Sequence, residues 1–294
     1  FYTHFDKKKY HTNYEQSVQN INWVSRHGFY PFIHFQMDCS KYTNDLEGNK
    51  FIKEKNRDIY YAAHIDRFIY EYYGNRLNSK YNNYMKSKGI GRVSTAYRNC
   101  SPGKCNIDFA KEVFEYIAKC ESAYIFVGDF SKFFDNLDHR YLKEKIKCVV
   151  GEKSLDVADY AIYKNITKFT YVEAEDIEAE KGLFRRDMRE LDKYFETDEF
   201  HDFKKKYLHK NSKDYQIPQG SSISAVYANV YMIDFDKRIN DFITSQKGIY
   251  RRYCDDIIVV IPMTHNEINC GRNEEISKFI YDTRDGIPNL KLNE

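Results

Sequence analysis

The stretch "GIYRRYCDDIIVVI", residues 249–262, places two adjacent carboxylates, Asp255 and Asp256, inside an otherwise apolar run. Bulky apolar and β-branched residues on both sides of the doublet predict two strands joined at the aspartates as a hairpin. Charged side chains are rarely buried unless they are paired or bind a metal. The doublet therefore indicates either a polar hairpin turn or a metal site at a hairpin tip.

A third carboxylate ends a second predicted strand, "AYIFVGDF" at 123–130, where Asp129 follows the apolar residues. Carboxylates brought close together repel one another unless a cation lies between them. Two divalent ions about 3.5–4 Å apart neutralise such a group and hold both oxygens of a phosphoryl transfer. Because Mg²⁺ prefers oxygen ligands, the pattern predicts a two-ion Mg²⁺ site with Mn²⁺ as the alternative ion.

The composition restricts the class of protein. The 294 residues are 42% hydrophobic and 31% charged, which is typical of a soluble globular chain rather than a disordered one. No apolar run approaches the roughly 20 residues of a membrane helix, and no signal peptide is visible. Seven scattered cysteines predict reduced thiols, so we expect a cytoplasmic protein without a membrane partner.

Helical periodicity appears in two early segments. Residues 53–77 start basic and then carry apolar side chains at helical spacing, and 78–103 have the composition of a loop. Residues 106–119 predict a helix that starts near Asn106, with one apolar stripe formed by Ala110, Val113, Phe114 and Ile117.

The region 150–215 is strongly charged and is predicted to be a helical elaboration on the surface. Within it, residues 172–200 carry 11 acidic against 5 basic side chains, which favours a solvated helix there. A regulatory or oligomer contact is the alternative interpretation of the acidic segment.

Three ordered motifs resemble those of reverse transcriptases. "GDFSKFFDNLDH" (128–139), "IPQGSSIS" (217–224) and "RRYCDD" (251–256) are similar to motifs A, B and C. "KNRDI" (55–59) resembles the basic fingers motif, "STAYRNCSPGK" (94–104) the segment before the palm, and "GIPNLKLNE" (286–294) the start of motif D. The motif sequences most resemble those of the bacterial branch, which contains group II intron, retron, abortive-infection and defence-associated enzymes.

The resemblance implies an α+β, right-hand polymerase fold. Fingers with an N-terminal extension are expected at 1–120, and a palm with the charged insertion is expected at 121–294. The thumb of this family follows motif D and is expected to lie outside the chain. The chain begins at Phe1 and stops inside a predicted element, which predicts a piece of a longer protein.

The resemblance also assigns roles to the acidic residues. Asp129 and Asp255 match the metal ligands, and the backbone carbonyl of Phe130 matches a third contact. Asp256 matches a residue that supports the site more than it binds the ions. The Cys254 before the doublet departs from the Ala, Met or Val that is more frequent there, and it is small and apolar enough to preserve the chemistry.

The nucleotide contacts come from the other motifs. Phe134 matches the steric gate that excludes a ribose 2′-hydroxyl, although an aromatic beside Phe133 is also compatible with a core position. Gln219 and Gly220 match the border of the nascent base pair. Arg57 with Lys53 or Lys55 matches a triphosphate contact, and a solvated basic helix start is an equally good interpretation.

The resemblance implies an RNA-directed DNA polymerase that transfers dNTPs onto a DNA or RNA primer along an RNA template, and its bacterial character implies a role in antiphage defence. A non-coding RNA and a second copy of the chain are further partners that the sequence leaves open. Three alternatives remain: untemplated or protein-primed DNA synthesis, RNA synthesis, and a non-catalytic nucleic-acid-binding module.

Overall fold

A computed structural model describes residues 2–7, 14–44, 48–98, 103–264, 266–267 and 270–293, without the side chains of Lys41, Lys53 and Lys55. The described helices are α1 (Glu15–Gln19), α2 (Ile21–Arg26), α3 (His64–Ser87), α4 (Asn106–Ile117), α5 (His139–Val150), α6 (Val157–Thr167), α7 (Ala174–Lys181), α8 (Thr197–Tyr207), α9 (Ser222–Tyr231), α10 (Ile233–Ser245) and α11 (Arg272–Asp285). The described strands are β1 (Phe32–Asn44), β2 (Lys50–Tyr61), β3 (Ala123–Phe130), β4 (Thr170–Glu173), β5 (His209–Lys210), β6 (Ile249–Tyr253), β7 (Asp256–Pro262) and β8 (Leu292–Asn293). Helices and strands are mixed along the chain, which confirms the α+β class.

Two local predictions were wrong in their boundaries. The basic residues 53–57 begin no helix, because they lie inside the long strand β2. The predicted loop at 78–103 starts ten residues later, since α3 continues to Ser87. Tyr81 and Met85, both fully buried, extend the apolar side of α3 through that stretch.

Helix α4 forms as predicted, but its apolar stripe is not a core face. Its first residue is Asn106 and the preceding Cys105 is the N-cap, whose backbone N–H donates to the Asp108 carboxylate. Val113 is buried, whereas 70% of Phe114 is exposed. The apolar residues of α4 are therefore only partly buried: Val113 packs in the core, and Phe114 faces solvent.

The chain forms two compact units, and the first contains the described residues within Phe1–Tyr72, Asp156–Lys213 and Ile217–Ser224. Its sheet has the strand order β2-β1-β4-β5. The strands β1 and β2 pair antiparallel from Ile33↔Tyr61 to Asn44↔Lys50, and β4 pairs parallel with β1. His34 on β1 contacts Glu173 on β4 at 2.6 Å and Asp58 on β2 at 3.1 Å, so one imidazole joins three strands.

The charged region 150–215 is not a surface elaboration. It supplies β4 and β5, and its side chains form much of the first unit's core with Phe5 and Ile33. The contributed core residues are Val172, Ala174, Ile177, Met188, Tyr194, Phe195 and Phe203. The acidic segment 172–200 is likewise not one helix, because a strand, α7 and a short 3₁₀ turn at Asp187–Glu190 succeed one another before α8.

The turn at Gln219–Gly220 packs against the free edge of β2. The backbone N–H of Tyr60 donates to the Gln219 carbonyl at 2.8 Å. Gly220 has φ +126, and a Cβ added to it would lie 2.6 Å from the carbonyl oxygen of Tyr60. Only glycine allows this close approach of two backbones.

The second unit contains the described residues within Tyr73–Leu155, Asp214–Gln216 and Ala225–Glu294. Its sheet has the order β6-β7-β3-β8, with all neighbours antiparallel. On β3 the burial alternates: Phe126 and Phe130 are buried, whereas Ile125 and Val127 are 45% and 60% exposed. One face of β3 therefore packs on the helices and the other is open.

The second unit contains a buried ion pair that joins β6 to α10. The guanidinium of Arg252 on β6 binds the carboxylate of Asp236 on α10 through two hydrogen bonds of 2.8 and 2.7 Å, and both side chains are fully buried. Tyr250 donates its hydroxyl to the same carboxylate at 2.8 Å. Burial alone lowers the pKa of the Arg252 guanidinium, but the adjacent Asp236 carboxylate raises that pKa above its usual value.

The six cysteines in the described part of the chain are all free thiols, in agreement with the prediction; Cys100 lies outside it. The expected division into fingers at 1–120 and a palm at 121–294 stays a prediction.

Replacing Gly220 tests the packing of the turn on β2. Gly220→Ala is expected to lower the free energy of unfolding by about 2 kcal/mol more than the control Gly182→Ala. Gly182 also has a positive φ, but nothing lies within 4 Å of the place that a Cβ would occupy there. Denaturant unfolding measures both values, and equal losses would contradict the close approach.

Replacing Arg252 tests the buried pair. Arg252→Met leaves the Asp236 carboxylate buried without its cation, so we expect a loss of about 3–5 kcal/mol in unfolding free energy. The neighbouring Arg251→Met is the control, because Arg251 pairs with the partly exposed Glu112 and its loss costs about 1 kcal/mol or less. Equal losses in the two variants would show that the buried pair has no special role.

Candidate active site

The predicted hairpin is present and its tip carries the acidic doublet. Strands β6 and β7 close at the pair Tyr253↔Asp256, which leaves Cys254 and Asp255 as a two-residue turn. Cys254 has φ 58, in the left-handed region that such short hairpin turns require. Arg252 stabilises this conformation by donating from its guanidinium to the Cys254 carbonyl at 2.8 Å.

Asp129 meets the doublet through the β3–β7 ladder. Asp129 is paired directly with Asp256, and the backbone N–H of Phe130 donates to the Asp255 carbonyl at 3.0 Å. Residues directly opposite in an antiparallel pair have Cβ atoms about 4.5–5.5 Å apart and point to the same face. The structure thus brings Asp129, Asp255 and Asp256 to the same end of the sheet.

The register shows which acidic residues face each other directly. Asp256 lies across from Asp129, and Asp255 lies in the turn beside them. The assignment of Asp129 and Asp255 as metal ligands, with Asp256 in support, stays a prediction.

The donor set is suited to a hard cation. Like charges placed directly opposite in a ladder destabilise the pair, and a cation between Asp129 and Asp256 removes that cost. Within the part of the chain that the structure describes, no three His, Cys, Asp or Glu side chains form a ready-made ion cage. Mg²⁺ is usually held by one or two carboxylates, with water and substrate phosphates completing its shell, so the carboxylates fit that ion.

The thiol of Cys254 is buried beside these carboxylates. Burial, followed by the Asp255 charge, raises the pKa of the thiol to about 12. The group is therefore a neutral thiol at physiological pH. A neutral side chain at this position adds no further negative charge to the acidic cluster.

Phe134 lies in a short 3₁₀ turn, Phe133–Asn136, that follows β3. Phe133 is the core residue of the two, since it is buried and packs on Phe130 with ring centroids 5.9 Å apart. Phe134 is only half-buried and meets Phe133 edge to face at 5.8 Å. Phe133 is therefore a core residue, whereas Phe134 keeps part of its side chain exposed, and its role as a steric gate stays a prediction.

The remaining nucleotide-binding candidates belong to the first unit. Arg57 is exposed on β2, and the Gln219–Gly220 turn packs on the same strand at Tyr60. The side chains of Lys53 and Lys55 lie outside the described residues, although their backbones are part of β2. Arg57 therefore lies on the strand against which the Gln219–Gly220 turn packs.

Sequence reasoning missed the residues that support the turn. Asp236 shares the apolar stripe of α10 with Ile239 and Ile243, and all three are buried. A carboxylate inside an apolar helical stripe is a signal for a buried ion pair. Asn229, also buried, accepts a hydrogen bond from Arg252 at 3.1 Å and completes the support.

None of the described helices combines the length and the apolar character that crossing a bilayer requires.

Comparisons with known proteins give little beyond this geometry. No family model matches the chain, and no curated protein matches it. Among solved structures, the chain is similar to apo telomerase from Candida tropicalis truncated from its C-terminal domain, with 13% identity and a TM-score of 0.47. The alignment covers 93% of this chain and 51% of the telomerase chain, so this chain spans about half the length of that neighbour.

Proposed function

We propose that the chain is the catalytic part of an RNA-directed DNA polymerase that adds dNTPs to a primer by two-metal nucleotidyl transfer. The observation that supports this most is the β3–β7 register, in which Asp129 faces Asp256 with Asp255 in the adjoining turn. The ordered resemblance to motifs A, B and C supports the same conclusion independently.

In this proposal the carboxylates of Asp129 and Asp255 bind Mg²⁺, and Asp256 adds negative charge next to Asp129. The Phe130 carbonyl is the proposed third protein ligand. When bound, the ions would lower the pKa of the primer hydroxyl and neutralise the triphosphate. The contribution of the chain is to hold its three carboxylates at one sheet end, where ladder pairing fixes the backbones of Asp129 and Asp256 and the Phe130 N–H holds the Asp255 carbonyl.

Phe134 is proposed to select the sugar. A flat ring beneath the ribose leaves no space for a 2′-hydroxyl, so deoxynucleotides would bind in preference. Phe134 is only half-buried, whereas Phe133 is buried in the core. This selection is the reason to favour DNA synthesis over RNA synthesis.

Arg57 and Lys55 are proposed to bind the triphosphate, and Gln219 and Gly220 to border the new base pair. The guanidinium of Arg57 is exposed and can form a bidentate contact with phosphate oxygens. The partners in this proposal are an RNA template, a DNA or RNA primer and dNTPs. The extension to bacterial antiphage defence depends on the motif sequences, and the extension to the cytoplasm depends on the scattered cysteines.

Primer extension by the full chain with Mg²⁺ tests the proposed activity. Asp255→Asn is expected to reduce extension at least about a hundredfold, because a neutral amide binds Mg²⁺ poorly. Asp282→Asn, an exposed aspartate on α11, is the control and is expected to extend like the parent. An Asp255→Asn variant that extends as well as the parent would overturn the mechanism.

The same assay with RNA, DNA or no template separates the alternatives. Extension that depends on RNA supports copying, whereas equal extension without a template supports untemplated synthesis by the same residues. Absence of extension and of primer-template binding by the parent would contradict the proposal altogether, and binding alone would favour a non-catalytic module.

Phe134→Ala tests the sugar selection. We expect the discrimination against ribonucleotides to fall about 10- to 100-fold, while dNTP incorporation changes much less. Phe184→Ala, at a residue that is 67% exposed in the first unit, is the matched control. Unchanged discrimination against ribonucleotides in Phe134→Ala would contradict the proposed steric gate. It would not contradict the proposed metal site.

A further inference from the structure

The short strand β8 brings a lysine to the acidic end of the second unit's sheet. Asp129 pairs with Asn293 in the antiparallel β3–β8 ladder. The backbone N–H of Ser131 donates to the Lys291 carbonyl at 2.8 Å, which continues the ladder beyond β3. The backbone of Lys291 is therefore fixed beside the residues that follow Asp129.

Close packing holds β8 against β3. A Cβ added to Gly128 would lie 2.7 Å from the Asn293 carbonyl oxygen and 3.1 Å from the Cδ1 atom of Leu292. A glycine at such a strand position allows a second backbone to approach closely. Leu290 and Leu292 are also buried, so β8 is held by apolar packing as well as by hydrogen bonds.

Strand alternation places Lys291 on the same face of the sheet as Asp129. Residues directly opposite in a ladder share a face, and so do residues two positions apart on one strand. Asn293 is opposite Asp129, and Lys291 lies two positions before Asn293. Exposure agrees, because Lys291 and Asn293 are exposed whereas Leu292 between them is buried. Lys291 is thus a diagonal neighbour of Asp129, for which a separation of about 7–8 Å is typical.

The ammonium of Lys291 is available to a ligand. Among the residues that the structure describes, no carboxylate forms an ion pair with it. The two arginines of the hairpin are already paired, Arg252 with Asp236 and Arg251 with Glu112. Lys291 therefore offers an unpaired positive charge on the face that carries the acidic residues.

An anion is the ligand that this combination suits. Three carboxylates offset most of the charge of two divalent ions, so little positive charge remains to neutralise a triphosphate. Proteins that bind transferring phosphoryl groups usually add Arg or Lys side chains for this purpose. A lysine ammonium is a compact charge on a flexible stem, and the diagonal spacing leaves room for a phosphate group between Lys291 and Asp129.

We infer that Lys291 binds phosphate oxygens of the nucleotide triphosphate on the open face of the sheet, next to Asp129. The inference rests on the proposed function, because it adds a substrate contact to the same site. The resemblance assigned no role to this residue. Lys291 adds an available cation to the sheet end at which motifs A and C supply carboxylates.

Binding of inorganic tripolyphosphate to the full chain with Mg²⁺, measured by isothermal titration calorimetry, tests the inference without primer or polymerisation. Lys291→Gln is expected to raise the Kd about tenfold, because it removes a charge-assisted contact. Lys291→Arg keeps the charge and is expected to bind within about threefold of the parent. Thermal unfolding of each variant shows whether the fold is retained.

Lys278→Gln is the matched control. Lys278 is an exposed lysine of α11, and the adjacent Ser277 contacts the Tyr124 hydroxyl near the other end of β3. Its Kd for tripolyphosphate is expected to equal that of the parent. The control therefore separates the position of Lys291 from the general loss of one surface charge.

Primer extension gives a second readout. Lys291→Gln is expected to raise the KM for dNTPs about tenfold, while kcat and the Kd for primer–template stay within about threefold of the parent. A loss of primer–template affinity with unchanged tripolyphosphate binding would overturn the inference, because the lysine would then contact the nucleic-acid backbone.

Asp255→Asn separates the lysine from the ion site. If Lys291→Gln binds tripolyphosphate like Lys278→Gln while Asp255→Asn binds it weakly, the lysine has no such role and the ion site stands. If Asp255→Asn also binds like the parent, the ion site itself is wrong and the inference fails with it. If the lysine effect is present but the parent extends no primer, phosphate binding by Lys291 stands and the proposed polymerase activity fails.

Discussion

The buried pair of Arg252 and Asp236 is the interaction on which the candidate site depends. Two hydrogen bonds attach the guanidinium to a carboxylate of α10, and a third reaches the Cys254 carbonyl in the turn. Burying two charges is costly and is compensated only by close geometry and by further hydrogen bonds, which Tyr250 and Asn229 supply. The pair fixes the position of the acidic turn, because the Arg252 guanidinium connects that turn to helix α10.

The acidic residues themselves oppose folding of the sheet end where they lie. Asp129 and Asp256 face each other across the ladder, and Asp255 adds a third carboxylate next to them. Apolar or oppositely charged partners at those positions would stabilise the sheet more. A sequence that retains the repulsion and also buries an ion pair to fix the turn is best explained by a function that requires concentrated negative charge there.

The sequence predicted the elements of this site well because the relevant signals are local. The β-prone apolar residues of β3 and those on both sides of the doublet need only neighbouring residues to be recognised. The first unit was predicted poorly for the opposite reason. The contact between His34 and Glu173 spans 139 positions, and no local pattern shows that a charged segment supplies a parallel strand. Asp236 lies in the apolar stripe of α10, and its partner Arg252 lies 16 positions later on a strand, so the pair is not apparent from either segment alone.

Backbone strain coincides with the candidate residues of both units. Tyr97 and Cys254 adopt positive φ without being glycine, and Gly220 adopts φ +126 against the Tyr60 carbonyl. Such conformations cost about 1–3 kcal/mol each for residues other than glycine, and they persist only where surrounding contacts outweigh the cost. At Cys254 the contact is the Arg252 guanidinium, and at Tyr97 it is the pair of buried asparagines Asn78 and Asn229. The buried polar network therefore does more than stabilise the second unit: it maintains, against local preference, the backbone that presents the turn carboxylate.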